Sequence, residues 1–482
     1  MSRSDFIALF PLMIVSATSV LLMLSIAFRR SHRTAVVISL FGLAAGLGSL
    51  PFASSVASRQ VTGFLILDSY SLLYMAVLLI GSVFVLVFAY DYLERRLEHR
   101  EEFYLLVLLA TTGSMVLAAS SNFASLFLGL ELLSVSLYAL ITYLRTEQQA
   151  VEAGIKYLVL AASSSSFLLF GLALLYSESG SMKLSQFSAV TSASDHASSV
   201  PLLAGLVLTL TGIGFKLAVV PFHLWTPDVY EGAPLPVTAF IATVSKGGMF
   251  ALLLRWFQPQ GDTLAGASGL VLSIIAIASM LTGNLLALRQ TNVKRILAYS
   301  SIAHMGYMLV ALLAGGELGV AAATYYLMAY LVTILGAFGT MTVLSGSRWE
   351  ASSLDSYRGL FWRRPLLAAV FTTMLLSLAG IPLTAGFLGK FYVLTAGASH
   401  SRWLLLFTLV VSSTIGLFYY LRILVVMYAQ PRESDAAKDV SMLPLPLPAT
   451  LALAALTGLV FLLGIGPALF WNVIVAAAQN LG

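Results

Sequence analysis

A glutamate, three lysines and a histidine stand inside stretches otherwise made of apolar residues. They are Glu131 in FLGLELLS, Lys216 in GIGFKLAVV, Lys246 in TVSKGGMF, His304 in SSIAHMGY and Lys390 in GFLGKFY. Withdrawal from water favours the neutral form of an amine, and a nearby carboxylate favours the charged form. A Glu131 that approached Lys216 and then moved would switch that lysine between holding and releasing a proton. The alternative is a static ion pair that only fastens two helices. Lys246 is flanked by small residues that leave room for water or a close helix, and His304 can both donate and accept protons. Both suit a relay, against a snorkelling amine and a hydrogen-bonded core histidine. Four groups are accessory candidates. His223 follows Pro221 at a helix break and could serve an entrance. Lys156 and Lys294 open predicted helices, where snorkelling or a place on the basic surface would serve as well. Arg422, in YYLRIL, does not readily deprotonate and is read as setting local potential or structure.

The elements that position these groups follow from composition. Of 482 residues, 59% are hydrophobic and 10% charged, against about 25% charged in soluble domains; mean hydropathy is +0.93. A membrane span takes about 20 apolar residues and must satisfy its own backbone, which makes it a helix. The chain therefore reads as an all-α polytopic membrane protein with about fourteen transmembrane helices. Their cores are 6–28, 35–56, 69–90, 103–119, 123–144, 155–176, 201–221, 236–254, 267–288, 296–314, 318–345, 365–398, 403–428 and 446–475. An ionisable group at mid-membrane costs about 2.5–3.5 kcal/mol on insertion scales; a passive anchor would not carry a series of them.

The run from Ile7 to Phe28 is long enough to span, and its basic cluster, Arg29-Arg30-Ser31-His32-Arg33, follows it. It is read as a retained first helix rather than a signal peptide. Sixteen of the 26 basic residues fall in loops after odd-numbered spans, Arg348, Arg432 and Lys438 among them, and five in loops on the other side, Arg255 among them. The positive-inside rule then puts both termini outside the cytoplasm, which fits a bacterial inner membrane with periplasmic termini.

Glu131 and His304 are 173 residues apart, and Lys216 and Lys390 are 174 apart. Each half thus carries an acid or histidine and then a lysine in a segment interrupted by proline. Five helices separate each element from its counterpart, and an odd number inverts orientation. This pattern predicts two inverted five-helix repeats, helices 4–8 (residues 103–255) and 9–13 (residues 256–430), flanked by helices 1–3 (residues 1–102) and helix 14 (residues 431–482). Inverted repeats with helices broken near the midplane are a common transporter plan. Pro221 breaks helix 7, and Gly380-Ile381-Pro382 breaks helix 12. Backbone groups freed there are tolerated only in protein or beside water, so both breaks imply local hydration.

The chain contains no cysteine, which excludes disulfides, iron–sulfur ligation, thiolate zinc and covalent c-type haem. A bis-histidine haem would have to use His223 and His304, and nothing else supports one. No P-loop is present. The net charge of +5 reflects cytoplasmic loops rather than a nucleic-acid surface. Gly42 and Gly46 suit close helix packing, and Ser163 to Ser166 form a polar patch that is either packing glue or a lining for water.

Six stretches resemble one family closely: ASLFLGLELLS (124–134), IKYLVLAASSSSFLLFG (155–171), GFKLAVVPFHLWTPDVYEGAP (214–234), VSKGGMFALLLR (244–255), TNVKRILAYSSIAHMGY (291–307) and LAGIPLTAGFLGKFYVL (378–394). The chain resembles the antiporter-like membrane subunits of respiratory complex I, the proton-pumping NADH:quinone oxidoreductase, over nearly its whole length. Within that family it is most similar to the bacterial N-type branch. DVYEGAP matches that branch, Lys390 stands where the M-type sister carries glutamate, and no long lateral helix of the L-type follows helix 14. Subunits of Mrp-type sodium/proton antiporters are the nearest confusable relatives. The resemblance implies that Glu131, Lys216 and Lys246 are the first-half charged residues and that His304 and Lys390 are the second-half relay and exit positions. It implies no redox centre or cofactor in this chain, with NADH, FMN, iron–sulfur clusters and the main quinone site in other subunits. It implies as partners the other membrane subunits, sister antiporter-like subunits included, together with the lipid bilayer and no nucleic acid.

The expected mechanism is a half-channel from the cytoplasm to Lys216 near His223. Lateral transfer then runs through Lys246 and His304 to Lys390, with release on the opposite side. Glu131 sets how firmly Lys216 holds its proton, and quinone reduction elsewhere supplies the energy. The alternatives are a subunit of a multi-subunit Na+/H+ antiporter and a structural adaptor whose charges merely hold partners.

Overall fold

Lipid offers a peptide group no hydrogen-bond partner, and the chain closes its backbone bonds within a bundle of long helices. The structure, a computed structural model, describes residues 1–97, 99–186, 199–257, 267–347, 349–431 and 445–481. Arg348, Arg432 and Lys438 of the loop-charge count lie outside the described residues. The helices are α1 (Arg3–Phe28), α2 (His32–Ser54), α3 (Ser69–Glu94), α4 (Glu101–Ala119), α5 (Phe123–Ile141) and α6 (Gln148–Ser179). Next come α7 (Val200–Leu217), the short α8 (Trp225–Gly232), α9 (Leu235–Phe257), α10 (Ala267–Leu288), α11 (Val293–Ala314) and α12 (Gly316–Leu344). The chain continues through α13 (Pro365–Ala379), α14 (Ala385–Ser399), α15 (Trp403–Tyr428), α16 (Leu447–Ile465) and α17 (Ala468–Gln479).

Among the described residues, thirteen helices are long and apolar enough to span. The expected span 365–398 appears instead as two half-length helices, α13 and α14, on either side of a break. The expected span 201–221 ends at Leu217, and the chain resumes helically only at Trp225. The last span stops at Ile465, and α17 follows Gly466-Pro467. Among the described residues, one element is not helical: Arg59–Val61 (β1) and Leu65–Leu67 (β2) pair antiparallel between α2 and α3, with Arg59 opposite Leu67.

Helices α9, α11 and α12 form the centre and are buried over most of their length. At the periphery, α1, α2, α6, α10 and α16 show exposed apolar side chains such as Phe41, Phe170, Ile274 and Leu451. Such faces suit lipid or partner helices. Gly42 and Gly46 do serve close packing: α1 presses Thr18 and Val15 against them. Two buried ion pairs fasten the frame. Arg255, at the end of α9, donates twice to Asp68 at 2.8 Å, joining α9 to the start of α3. Arg255 had been assigned to a loop; its guanidinium is instead buried against a wholly buried carboxylate. The second pair, Lys294 with Glu350, lies at the other end of the bundle.

Candidate proton-relay site

Lys216 lies in the last turn of α7, where Ala218 adopts φ 61° and ends the helix. Its Nζ donates to Ser134 Oγ on α5 at 3.0 Å and to Tyr157 OH on α6 at 2.9 Å. Glu131 stands one turn before Ser134 and accepts from Ser165 Oγ at 2.6 Å. Glu131 and Ser134, the hydroxyl that Lys216 bonds, share helix α5, but Glu131 and Lys216 make no direct ion pair among the described residues. The serine patch divides. Ser163 and Ser166 bond their own helix, while Ser165 holds Glu131 and Ser164 faces the Gly212 carbonyl of α7.

Protein groups take over part of the role expected of water at the first break. Val220 N–H donates to Ser279 Oγ of α10 at 2.9 Å, and Trp225 Nε1 donates to the Phe215 carbonyl at 3.0 Å. His223 is buried in this break, and its Nδ1 has no hydrogen-bond partner among the described residues.

Beyond the break, α8 carries Asp228 and Glu231 of the DVYEGAP run. Asp228 accepts from Lys156 at 3.0 Å and from Arg295 at 2.9 Å, and Glu231 accepts from Arg295 at 2.7 Å. Burial pulls the Asp228 carboxyl upward, but the hydrogen bonds and charges of Lys156 and Arg295 outweigh it and hold it below its ordinary value. Lys156 also pairs with Glu152 at 2.8 Å. It works as a strut for α8 rather than as a snorkelling amine.

Lys246 follows a π-helical turn, Ile241–Ser245, inside α9. Such turns widen a helix locally and recur at functional sites. The small residues beside it admit a helix: a Cβ on Gly248 would stand 2.8 Å from the Ser114 carbonyl oxygen of α4. Lys246 is wholly buried, and its Nζ donates to Ser301 Oγ of α11 at 2.6 Å. Ser301 also accepts from Tyr330 OH at 2.6 Å and faces Tyr230 OH at 3.4 Å. One turn further on α11, His304 bonds Tyr326 OH through Nδ1 at 2.7 Å and Tyr420 OH through Nε2 at 3.2 Å. Tyr420 also bonds Ser300.

Lys390 lies in α14, after the second break. Gly380, at φ 87°, ends α13. Lys390 Nζ donates to the freed carbonyls of Leu378 at 3.0 Å and Ala379 at 2.8 Å, and to Ser413 Oγ of α15 at 2.7 Å. The Tyr307 ring lies 5.5 Å away, on the side of His304. A cleft of about 290 Å³, lined by Phe387, Phe391, Val410, Ser413 and Leu417, opens from Lys390 to the outer face of the bundle.

Two accessory residues change standing. Lys294, expected at the basic surface, is wholly buried. It donates to Glu350 at 2.7 Å and to the Ala233 carbonyl at the end of α8 at 2.7 Å. The carboxylate and the helix C-terminus offset part of the cost of burying this amine. Arg422 donates to the Leu288 and Gln290 carbonyls and so caps α10, a structural role. His32, counted with a loop cluster, is buried between Glu94 and Tyr104.

Sequence reasoning did not find the hydroxyl partners Ser134, Tyr157, Ser301, Tyr330, Tyr326 and Tyr420, nor the anchors Asp228, Glu231 and Glu350. Hydroxyls are cheap in membrane helices and carry no signal by type. The acids of DVYEGAP did offer one, since two carboxylates on a short helix beside a break call for cations. Among the described residues, no group of three His, Asp or Glu could hold a metal ion.

Residues 120–416 match the family described as NADH:quinone oxidoreductase/Mrp antiporter, transmembrane. A chain of respiratory complex I from Thermus thermophilus, in a structure with bound aureothin, is 34% identical, with a TM-score of 0.81 over 96% of this chain and 98% of that one. A chain of the Mrp complex from Dietzia sp. DQ12-45-1b shares the fold at 21% identity, with a TM-score of 0.86 over 100% of this chain and 98% of that one. A chain of the membrane-bound sulfane sulfur reductase, an archaeal respiratory membrane complex, shares it at 24% identity, with a TM-score of 0.81 over 99% of this chain and 97% of that one. All three come from membrane complexes.

Proposed function

We propose that this chain, which belongs to the NADH:quinone oxidoreductase/Mrp antiporter transmembrane family, moves protons as a membrane subunit of an NADH:quinone oxidoreductase. It is a multi-pass membrane protein and a member of a translocase complex; electron transfer takes place in other subunits. The observation that carries the reading is that Lys216, Lys246, His304 and Lys390 are each buried, and each bonds at least one hydroxyl, in helices otherwise made of apolar residues. Buried ionisable groups in spanning helices mark ion pathways.

Residue roles follow from position. Protons enter near His223 and load Lys216, with Glu131 acting on that lysine through space and along α5. They pass by Lys246 and His304 to Lys390 and leave through the second half. Lys156, Arg295, Asp228 and Glu231 hold α8 at the entrance, and Lys294 fixes its last turn. Residues 103–255 and 256–430 form the two inverted halves. The basic loops face the cytoplasm of a bacterial inner membrane and the termini face the periplasm.

A tagged preparation in mild detergent tests the complex. Co-purifying NADH:ferricyanide reductase activity supports the reading. A preparation without it that catalyses sodium-dependent proton exchange in vesicles would move the chain to the antiporter class. Normal proton pumping by a fully assembled Lys216→Ala complex would overturn the roles.

A further inference from the structure

We propose that Trp225 is the positioning residue of Lys216: its indole, fastened to the end of α7, fixes the Tyr157 phenol that the lysine bonds. The role rests on the relay reading above. The two hydroxyls that meet Lys216 Nζ are placed by different means. Ser134 Oγ donates to the Leu130 carbonyl of its own helix at 2.7 Å, so α5 alone sets where it points. Tyr157 OH has no hydrogen bond among the described residues besides the one from Lys216 at 2.9 Å. A phenol held in this way is aimed by whatever packs against its ring.

Aromatic rings from three helices pack there. Trp225 of α8 is the nearest, with centroids 5.0 Å apart; Tyr138 of α5 lies at 5.7 Å and Phe215 of α7 at 6.0 Å. Ring pairs in this range attract beyond the area they bury. Trp225 is buried, and its side chain also bonds the helix that carries Lys216. Its Nε1 donates at 3.0 Å to the carbonyl of Phe215, the residue before the lysine. That carbonyl belongs to the last turn of α7, where helical donors run out. The indole therefore grips the end of α7 with its N–H and the Tyr157 ring with its face.

The helix behind the indole is anchored too. Trp225 opens α8, and Asp228, three residues on, accepts from Lys156 at 3.0 Å. Lys156 precedes Tyr157 on α6, so α6 and α8 are tied twice, once by charge and once by rings. Arg295 of α11 holds the same carboxylate at 2.9 Å and Glu231 at 2.7 Å. The ion pairs thus steady the helix that carries Trp225, and Trp225 steadies the phenol on Lys216. Such precision matters at a reacting amine, where a misplacement of about 1 Å can cost about 10²-fold.

The test uses the assembled complex, with NADH:ferricyanide activity reporting integrity and quinone-coupled proton pumping reporting transfer. Trp225→Leu is expected to slow pumping at least about tenfold with ferricyanide activity unchanged. Trp225→Phe keeps a ring without the N–H and should recover part of that loss, to about fivefold below wild type, the weight of one hydrogen bond. Trp362→Phe is the control. Its indole bonds the Tyr428 carbonyl at the end of α15, and pumping should stay at wild type. A double-mutant cycle separates positioning from packing: once Tyr157→Phe has removed the hydroxyl, Trp225→Phe should add less than about twofold. Effects that multiply in the cycle, wild-type pumping in either Trp225 variant, a Phe variant as slow as Leu, or an equal loss in Trp362→Phe each overturn the role. Should Trp225→Leu fail to assemble, the cycle with Trp225→Phe decides, because it keeps the ring. Lys216→Ala separates the two levels. If it pumps normally, the relay reading itself fails; if it is inactive while the Trp225 variants are normal, only the positioning role fails.

Discussion

Lys216 and Lys390 hold matching places 174 residues apart, yet the structure uses them differently. Lys216 precedes its break and bonds only side-chain hydroxyls. Lys390 follows its break and bonds two backbone carbonyls as well as a hydroxyl. The first lysine is placed to respond to a charge, since Glu131 lies one turn from its partner Ser134. The second is the C-terminal cap of a half-helix, where a cation satisfies carbonyls that have no other partner. Proton loss at Lys216 still leaves two N–H donors for its two hydroxyl partners, whereas at Lys390 it leaves two donors for three acceptors. Matching residues thus give the two halves different couplings between charge and shape.

The comparison breaks most directly at the level of transport. Removing either amine, as Lys216→Ala or Lys390→Ala, should lower coupled proton pumping by about 10²–10⁴-fold, the span of a lost proton-transfer group, with ferricyanide activity retained. Pumping that survives either change would end the claim that both halves lie on one path. Lys390→Arg sharpens it. A guanidinium can cap the carbonyls but does not deprotonate, so the fold should hold while pumping is lost.

The buried pair of Lys294 with Glu350 comes next. Glu350→Gln should cost about 3 kcal/mol, because it leaves the wholly buried Lys294 without its counter-charge; thermal unfolding of the purified complex measures it. Burial pushes the Glu350 carboxyl up, but the Lys294 charge and the hydrogen bonds from Lys294 and Tyr92 bring it below its ordinary 4.5. The folded value is lowered, so the stabilisation is complete above pH 4.5 and is lost as pH falls through the folded value. The melting temperature should drop in that acid window in wild type and be flatter there in Glu350→Gln.

Smaller again is the stability difference between the lysines themselves. Lys390→Met loses three hydrogen bonds where Lys216→Met loses two, and should cost about 1 kcal/mol more, at about 1 kcal/mol for each bond. Equal melting temperatures would refute the capping role. An effect no larger is expected at Ser413→Ala, about 1 kcal/mol, read as a modest fall in melting temperature. A drop no smaller than that of Lys390→Met would show that the serine, not the carbonyl cap, holds the break.

Much of this was legible in the sequence. Fourteen apolar segments placed the helices, and both breaks followed from Pro221 and from Gly380-Ile381-Pro382. The five ionisable residues of the candidate site stood out because charge in an apolar run is costly enough to need a reason. Lys294 was misplaced because a basic residue opening a helix after a loop looks the same whether it faces water or a distant carboxylate. Glu350, 56 residues on, is what buries it. Arg255 was misplaced likewise, since Asp68 lies 187 residues away. The π-helical turn before Lys246 left no mark in TVSKGGMF.

By itself, the sequence determined the solvent of this protein, the number and rough limits of its helices, where they break, and which groups could carry a proton. These are properties of single segments, set by transfer energies and by proline and glycine geometry, and they can be read one window at a time. Only the tertiary structure decided which hydroxyl each ammonium meets, that Glu131 reaches Ser165 rather than Lys216, and that Lys390 caps a helix while Lys216 does not. Those outcomes depend on a few ångströms between helices far apart in the chain, and serine and tyrosine are common enough that no local pattern marks the ones that end up facing a charge.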